Sequence, residues 1–496
     1  MSLNHEIKID GQRSENSHVA EHTIDERKLV RKIDLHVIPW LALLYLINFL
    51  DRGSIGNAKL YNLEADIGIN DRQYLIALTV FFFPYAILEP ASNVLLRRFK
   101  PRIYLSTMML MWGMVMAFHG VIENYGGLLT VRVLLGATEA GLYPGIVFYI
   151  TSWYKRSEMG SRIALFFSSA TVAGAFSGLL SAAISKMDGV AGRSGWEWIF
   201  ILEGLGTIAI ALASYWVIQD FPDTATFLTQ EERAFVVRRL TDDLKLSAGG
   251  ESFCKEYIWQ SLTDWKTWVA NTYFSNVSDG PLYAFSLFTP SIINQVSFRA
   301  TEANLLSVPV YAWGCFLTCI IGFLGDRIGA RSYINLSLFG VGLIAYTILI
   351  VSRSPALSYF AVYLAVSLIC RKANSVAWVA SNVEGSYKRS VTLGMAIGFG
   401  NINGAVTANI YRAKDRPWYR LGHAIVLFYI TTGFACSVLF AVLLKRENAR
   451  RERGERDEII VGAISDRAHE RNGTYNNVEE AKVSKGDKWS GFRYVL

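Results

Sequence analysis

Charge is scarce in these 496 residues. Only 18% are Asp, Glu, Lys or Arg, where a soluble domain carries about 25%. With 52% hydrophobic residues and a mean hydropathy of +0.26, that shortage excludes an ordinary soluble globular protein. Cysteine is rare as well. Cys254, Cys315, Cys319, Cys370 and Cys436 have no paired spacing, which argues against a disulfide scaffold or a cysteine zinc site. The first 30 residues lack the apolar core of a cleaved signal peptide, so the block from Leu35 is expected to act as an uncleaved anchor. The sequence offers no metal-ligand cluster, no Ser/His/Asp set in polar surroundings and no phosphate-cradling loop. We therefore expect neither an enzyme nor a cofactor. The net charge of +7 does not signify nucleic acid, because the basic residues cluster in short segments between apolar blocks, where they set orientation.

What the chain does have is apolar blocks of a length that crosses ~30 Å of hydrocarbon as helix. The expected fold is an all-α polytopic membrane protein with about twelve transmembrane helices in two six-helix halves. The first six spans are expected near 35–55, 73–96, 103–120, 126–150, 162–185 and 199–218. The second six are expected near 267–293, 303–324, 333–351, 357–381, 390–411 and 422–444. The corresponding division is an N-tail (1–32), a first bundle (33–219), a central loop (220–265), a second bundle (266–445) and a hydrophilic C-tail (446–496). That tail reads as disordered or loosely helical. Lys28, Arg31 and Lys32, then Arg97, Arg98, Lys100 and Arg102, then Lys155, Arg156 and Arg162 fall on one side of this topology. Arg327, Arg331, Lys388 and Arg389 join them, which predicts cytosolic termini and a cytosolic central loop. YRAKDRPWYR, before the last span, runs against the trend.

The halves echo each other. NVLLRRFKPRIYL follows span two and GFLGDRIGARSYI follows span eight, aligning Arg98 with Arg327, Arg102 with Arg331 and Tyr104 with Tyr333. Internal repeats of this kind build many secondary transporters, with the cargo site near the midplane between the repeats.

GFLGDRIGAR (322–331) is similar to the loop signature of the major facilitator superfamily, although its first copy has Arg97 in place of the acidic residue. FLDRGSIGNA (49–58), EPASN (89–93), Arg132-x6-Glu139-Ala-Gly-x2-Pro144 and GWEWIFILEG (195–204) extend the likeness. So do Phe221-Pro-Asp223, Leu228-Thr-x-Glu-Glu-Arg233, Trp378-x3-Asn382-x2-Gly385 and Gly400-Asn401. Over roughly residues 30 to 445 the chain resembles the anion:cation symporter family and its fungal allantoate permease branch. The resemblance implies uptake of a small organic anion such as allantoate, nicotinate, pantothenate or biotin, coupled to protons. It implies a multi-pass protein of the plasma membrane, with an internal membrane as the alternative. Its partners would be the anion, H+ and lipid, and not nucleic acid.

An ionised residue at mid-bilayer costs ~2.5–3.5 kcal/mol, so such residues persist where they pair or face a cavity. Arg132 and Glu139 are seven apart, on one helix face and ~10 Å apart along the axis. Asp51 and Arg52 lie deep in span one. One reading pairs Asp51 with Arg132 as simple neutralisation. The other has Arg52 or Arg132 hold the anion while Asp51 or Glu139 takes the proton. Arginine stays charged and grips a carboxylate with two parallel hydrogen bonds. Tyr143, Trp378, Asn382 and Asn401 are further candidate binding residues, with Tyr85 and Phe288 as ring-stacking candidates; core packing or interhelical bonding is the plain alternative for each. Asp326, Arg327 and Arg331 are expected to gate the cytosolic side. Glu89 and Glu203 are expected to hold helix ends or gates, and His36, His119 and His423 to sit at solvated span ends. Asp279, beside Gly280-Pro281, suggests a kink in span seven. Arg371 and Lys372, mid-span and adjacent, cannot face the same way and offer a second anion contact. Two other functions remain open: a nutrient sensor on a transporter scaffold, and a carrier for a cationic or neutral dipeptide-like cargo held by Asp51 and Glu139.

Overall fold

Backbone N–H and C=O groups in hydrocarbon must be satisfied within the segment, so apolar blocks of this length become helices. The computed structural model describes residues 24–243, 255–273, 281, 284, 300–384, 386–407, 409–411, 415, 418–461 and 468–496. Among the described residues, ten segments are long and apolar enough to span a membrane. The first six are α1 (Glu26–Leu60), α2 (Asp71–Val80) with α3 (Phe82–Arg98), α4 (Pro101–Phe118), α5 (Tyr125–Glu139) with α6 (Leu142–Thr151), α7 (Met159–Ile184) and α8 (Gly195–Val217). After α9 (Gln230–Asp242), α10 (Lys255–Thr263) and α11 (Trp265–Tyr273) come α12 (Ala300–Ile328), α13 (Arg331–Val351) and α14 (Pro355–Ala365) with α15 (Ser367–Ser381). The 22-residue α16 (Ser386–Thr407) carries the eleventh expected span, and α17 (Arg420–Glu452) completes the set. Most of span seven, including Asn276, Asp279 and Phe288, lies outside the described residues, as does Gly385.

Two of the paired helices break beside a proline. Pro84 and Pro144 are each the third residue of the second helix, where a missing N–H costs no intrahelical bond. The first break, at Phe81, packs against Gly136 of α5, where any Cβ would strike the Phe81 carbonyl oxygen. Exposed apolar residues such as Ile87, Phe316 and Phe428 form the outer surface that suits lipid.

The two halves meet along α7 against α12 and α3 against α16. Small residues set both approaches. A Cβ on Gly322 would lie 3.0 Å from the Gly160 carbonyl oxygen, and one on Gly394 would lie 2.9 Å from Pro90 Cα.

The face bearing the start of α1 and the C-terminal segment, the chain-end face, carries a belt of ion pairs. Arg239 of α9 reaches Glu26 at 2.6 Å and also Glu158, and Lys155 reaches Glu26 at 2.8 Å. Thr229 and Glu232 cap α9 reciprocally, and Glu232 also takes Lys32 at 2.7 Å.

The described residues of the tail, 446–461 and 468–496, are more ordered than the disordered or loosely helical tail expected. α17 runs to Glu452, Ile459–Ile460 (β1) pairs in parallel with Thr474–Tyr475 (β2), and α18 (Val478–Lys485) follows. Asp487 is buried against Lys266 (2.5 Å) and Lys388 (2.7 Å), both of which also pair with Asp264 at 3.0 and 2.5 Å. Two lysines and two aspartates thus cancel within one buried cluster. Composition alone reads these tail charges as solvated; here distant partners neutralise them.

Candidate functional site

Polar residues in α1 at positions 48, 51, 52 and 54 fall on more than one helix face, and the structure separates them accordingly. Asn48 and Arg52, one turn apart, point toward α5. Asn48 Nδ2 donates to Glu139 Oε1 at 2.6 Å and Arg52 Nε donates to the same oxygen at 2.5 Å. The Glu139 side chain is 1% exposed and that of Arg52 is 17% exposed. Glu139 is the last residue of α5, immediately before the Ala140–Gly141 break. Gly141 abuts Ser92 so closely that no side chain fits, which holds the break against α3.

Aromatic rings floor this pair. The Arg52 guanidinium lies over Tyr85 at 4.9 Å, Phe49 at 5.6 Å and Phe81 at 5.7 Å. Arg132 lies over the same Phe81 ring at 4.8 Å and donates from Nε to the Ala77 carbonyl oxygen at 3.2 Å. Two guanidinium groups therefore share one phenyl ring, with their charges near Glu139. A ring supplies a negative π face without an acid that would cancel an anion site.

Four residues beyond Glu139, Tyr143 stacks on Tyr45 at 5.3 Å, and Lys372 of α15 sits over the Tyr143 ring at 4.9 Å. Lys372 is 3% exposed and belongs to the other half. Its neighbour Arg371 turns away onto Phe339 of α13 at 4.1 Å. The adjacent bases thus face different ways, and Lys372 is the one directed across the interface.

Asp51 does not join Arg132. It accepts from Thr207 Oγ1 of α8 at 3.1 Å, and Glu203, which accepts from Ser54, lies close by. The one-residue step from Arg52 rotates Asp51 ~100° about the helix, into the interior of the first half. Sequence reasoning grouped Asp51 with Arg52 because both are deep, but depth does not fix facing.

Trp378 and Asn382, expected to contact cargo, occupy the chain-end face. Trp378 Nε1 and Asn382 Nδ2 both donate to the Val495 carbonyl oxygen at 2.9 Å, and Val495 N donates to Asn382 Oδ1 at 2.8 Å. Asn401 of α16 donates to Glu89 of α3 at 3.0 Å, joining the halves. His119 and His423 are buried, not solvated: His119 Nδ1 lies 3.0 Å from the Val115 carbonyl oxygen, and His423 Nδ1 lies 3.1 Å from the Tyr411 hydroxyl.

On the chain-end face, Asp326 of α12 accepts from two free N–H groups in the first turn of α7, Gly160 N at 2.9 Å and Ser161 N at 2.6 Å. A carboxylate at a helix N-terminus satisfies free donors and complements the macrodipole. Arg331 holds Asp326 at 2.6 Å and donates to Asn374 at 3.3 Å. Arg327 is exposed on the outer side of α12. The contact across the halves is therefore built by Asp326 and Arg331, and the chain-end face is closed.

Helices in two halves, closed at one face and enclosing buried charges between broken helices, are the architecture of a secondary transporter. Residues 41–441 match the family model of the Major Facilitator Superfamily, and the chain belongs to that superfamily. It is 32% identical over 442 residues to the MFS-type transporter cnsO of Penicillium expansum, covering 86% of this chain and 85% of that one. It is 30% identical to the high-affinity nicotinic acid transporter of Saccharomyces cerevisiae, over 86% of this chain and 79% of that protein. Among solved structures, the proton:xylose symporter XylE superposes with a TM-score of 0.62, covering 83% of this chain and 95% of that one at 12% identity. The human organic anion transporter MFSD10 gives 0.56 over 82% and 99% at 11% identity. The chain is thus a multi-pass secondary transporter, and these relatives are named as transporters rather than enzymes.

Proposed function

We propose that the protein imports a small organic anion with protons by alternating access, and that it belongs to the anion:cation symporter family within the superfamily. The observation that carries this is the Arg52–Glu139 pair. An unpaired buried acid would suit a cationic cargo. Here the acid is already engaged by an arginine, and an incoming carboxylate competes for that arginine. As the anion takes Arg52, Glu139 loses its counter-charge and a proton replaces it. Arg132 and Lys372 supplement the positive field, and Phe49, Phe81, Tyr85 and Tyr143 suit a planar organic group. Alternating access then requires Asp326 to leave the N-terminus of α7. The chain-end face is cytosolic in this reading, and the site is the plasma membrane.

The similarity to a nicotinic acid transporter makes nicotinate the first cargo to test. Cells or proteoliposomes bearing the protein are offered labelled nicotinate, pantothenate, allantoate and a neutral dipeptide at external pH 5 and 7.5. Saturable uptake of one anion, greater at pH 5, supports the reading. Uptake of the dipeptide or an amine alone, unaffected by Arg52→Gln, overturns it.

A further inference from the structure

Residues 487–495 lie against the chain-end face, and their contacts divide unequally between the halves. On the second half, Arg451 of α17 donates to the carbonyl oxygens of Phe492 (2.7 Å), Asp487 (2.9 Å) and Trp489 (3.2 Å). Asn448 takes both backbone groups of Tyr494 at 2.9 Å, and Asn382 does the same for Val495. The Tyr494 hydroxyl accepts from Arg451 at 2.8 Å and from Lys266 at 3.2 Å. With Asp487 closing the lysine cluster, this segment is bonded to α11, α15, α16 and α17.

Among the described residues, its tip, Phe492 and Arg493, bonds to the first half. Arg156, in the loop between α6 and α7, donates to the Arg493 carbonyl oxygen at 3.0 Å and lies over the Phe492 ring at 4.5 Å. The Arg156 carbonyl oxygen in turn accepts from Arg331 at 3.4 Å. The tip therefore adjoins the Asp326 gate contact.

We propose that the second half carries a peptide-binding site specific for this segment, and that the bound segment is a clasp holding the chain-end face closed. It recognises a turned segment, a 3-10 turn at Gly486–Lys488 followed by a second turn, with an aspartate seven residues before a tyrosine: the lysines read the carboxylate, Arg451 reads three carbonyls, and the paired asparagines read the backbone of Tyr494 and Val495. Because the second-half contacts are many and the first-half contacts few, the segment travels with the second half and releases Arg156 at each opening. The clasp raises the population of the closed state and slows opening toward the chain-end side.

The test uses the full chain in nanodiscs, spin-labelled at the exposed positions Ser157 and Arg327, with the distance between them measured by pulsed electron resonance. It requires no knowledge of the cargo, so its outcome is independent of the transport reading. Arg156→Gln removes the tip contact from the first-half side and leaves the lysine cluster intact, while Phe492→Ala removes it together with a buried ring that meets Tyr494 at 5.4 Å. Each is expected to raise the ratio of long to short distances at least tenfold, as Asp326→Ala does as a positive control. An excess of synthetic peptide 486–496 carrying Phe492→Ala is expected to shift wild type the same way, because it occupies the second-half contacts without the ring that meets Arg156. If both tip variants keep the wild-type distribution while Asp326→Ala shifts it, the clasp is refuted.

Discussion

Removing the Arg52 charge tests the site from two directions at once. Arg52→Gln deletes one partner of a pair whose acid is 1% exposed, leaving Glu139 with the Asn48 hydrogen bond and the more distant Arg132 charge. Breaking a fully buried pair costs ~3–5 kcal/mol. Partial exposure of Arg52 screens part of that, so a loss of about 2 kcal/mol is expected. For cargo, a charge-assisted hydrogen bond contributes about 1.5–3 kcal/mol, and each 1.4 kcal/mol is about tenfold in affinity. Arg52→Gln should therefore raise the KM for the anion about 10- to 100-fold. Arg52→Lys keeps the charge but not the planar pair of donors, and should fall between. The double variant Arg52→Gln/Glu139→Gln relieves the uncompensated acid. Its thermal midpoint should recover most of the loss while uptake stays impaired, a non-additivity expected of contacting residues. Uptake kinetics and detergent-solubilised melting curves read these quantities. Wild-type KM in Arg52→Gln, or a double variant as unstable as the single, refutes the reasoning.

Lys372→Gln should weaken anion uptake several-fold with little change in melting temperature, while Arg371→Gln, which faces Phe339, should do less; initial rates at limiting substrate distinguish them. Gly136→Leu should prevent assembly of α5 against the Phe81 break and abolish folded yield, seen by size-exclusion profile. The clasp should not respond to pH between about 5 and 9. Burial raises the Asp264 and Asp487 carboxyls, but Lys266 and Lys388 outweigh it and hold both below the ordinary value of 3.8. Burial lowers Lys266, but Asp487, Tyr494 and Asp264 outweigh it and lift it above 10.5. The acids' contribution is complete above 3.8 and lost as pH falls through their depressed values; the lysine's is complete below 10.5 and lost as pH rises through its raised one. Spin-label distances at pH 5.5 and 8 should coincide for this contact.

The spans were legible because bilayer thickness imposes a length that hydropathy reports directly. The Arg132 and Glu139 positions were legible for the same reason: a charge in such a block stands out. Facing was not. Asp51 and Arg52 are adjacent, yet one turns to Thr207 of α8 and the other to Glu139. Trp378 and Asn382 were candidates because they share a family-like motif at the end of the expected span 357–381; α15 carries them to the chain-end face and the Val495 backbone. No local pattern announces that contact, since its partner is 113 residues away. The breaks before Leu142 and Phe82 did leave a signal in Pro144 and Pro84, readable as new helix starts. The folded tail left none, because Asp487 and Arg451 read as solvated charges until their partners are known.

The central claim is that anion capture by Arg52 hands a proton to Glu139. Its most direct measurement is the external pH change when the transported anion is added to proteoliposomes in weak buffer, beside labelled uptake in the same vesicles. The account predicts that protons enter with the anion in wild type, and that Glu139→Gln exchanges anion across the membrane with no proton movement. Anion entry without protons in wild type, or undiminished proton entry in Glu139→Gln, contradicts it.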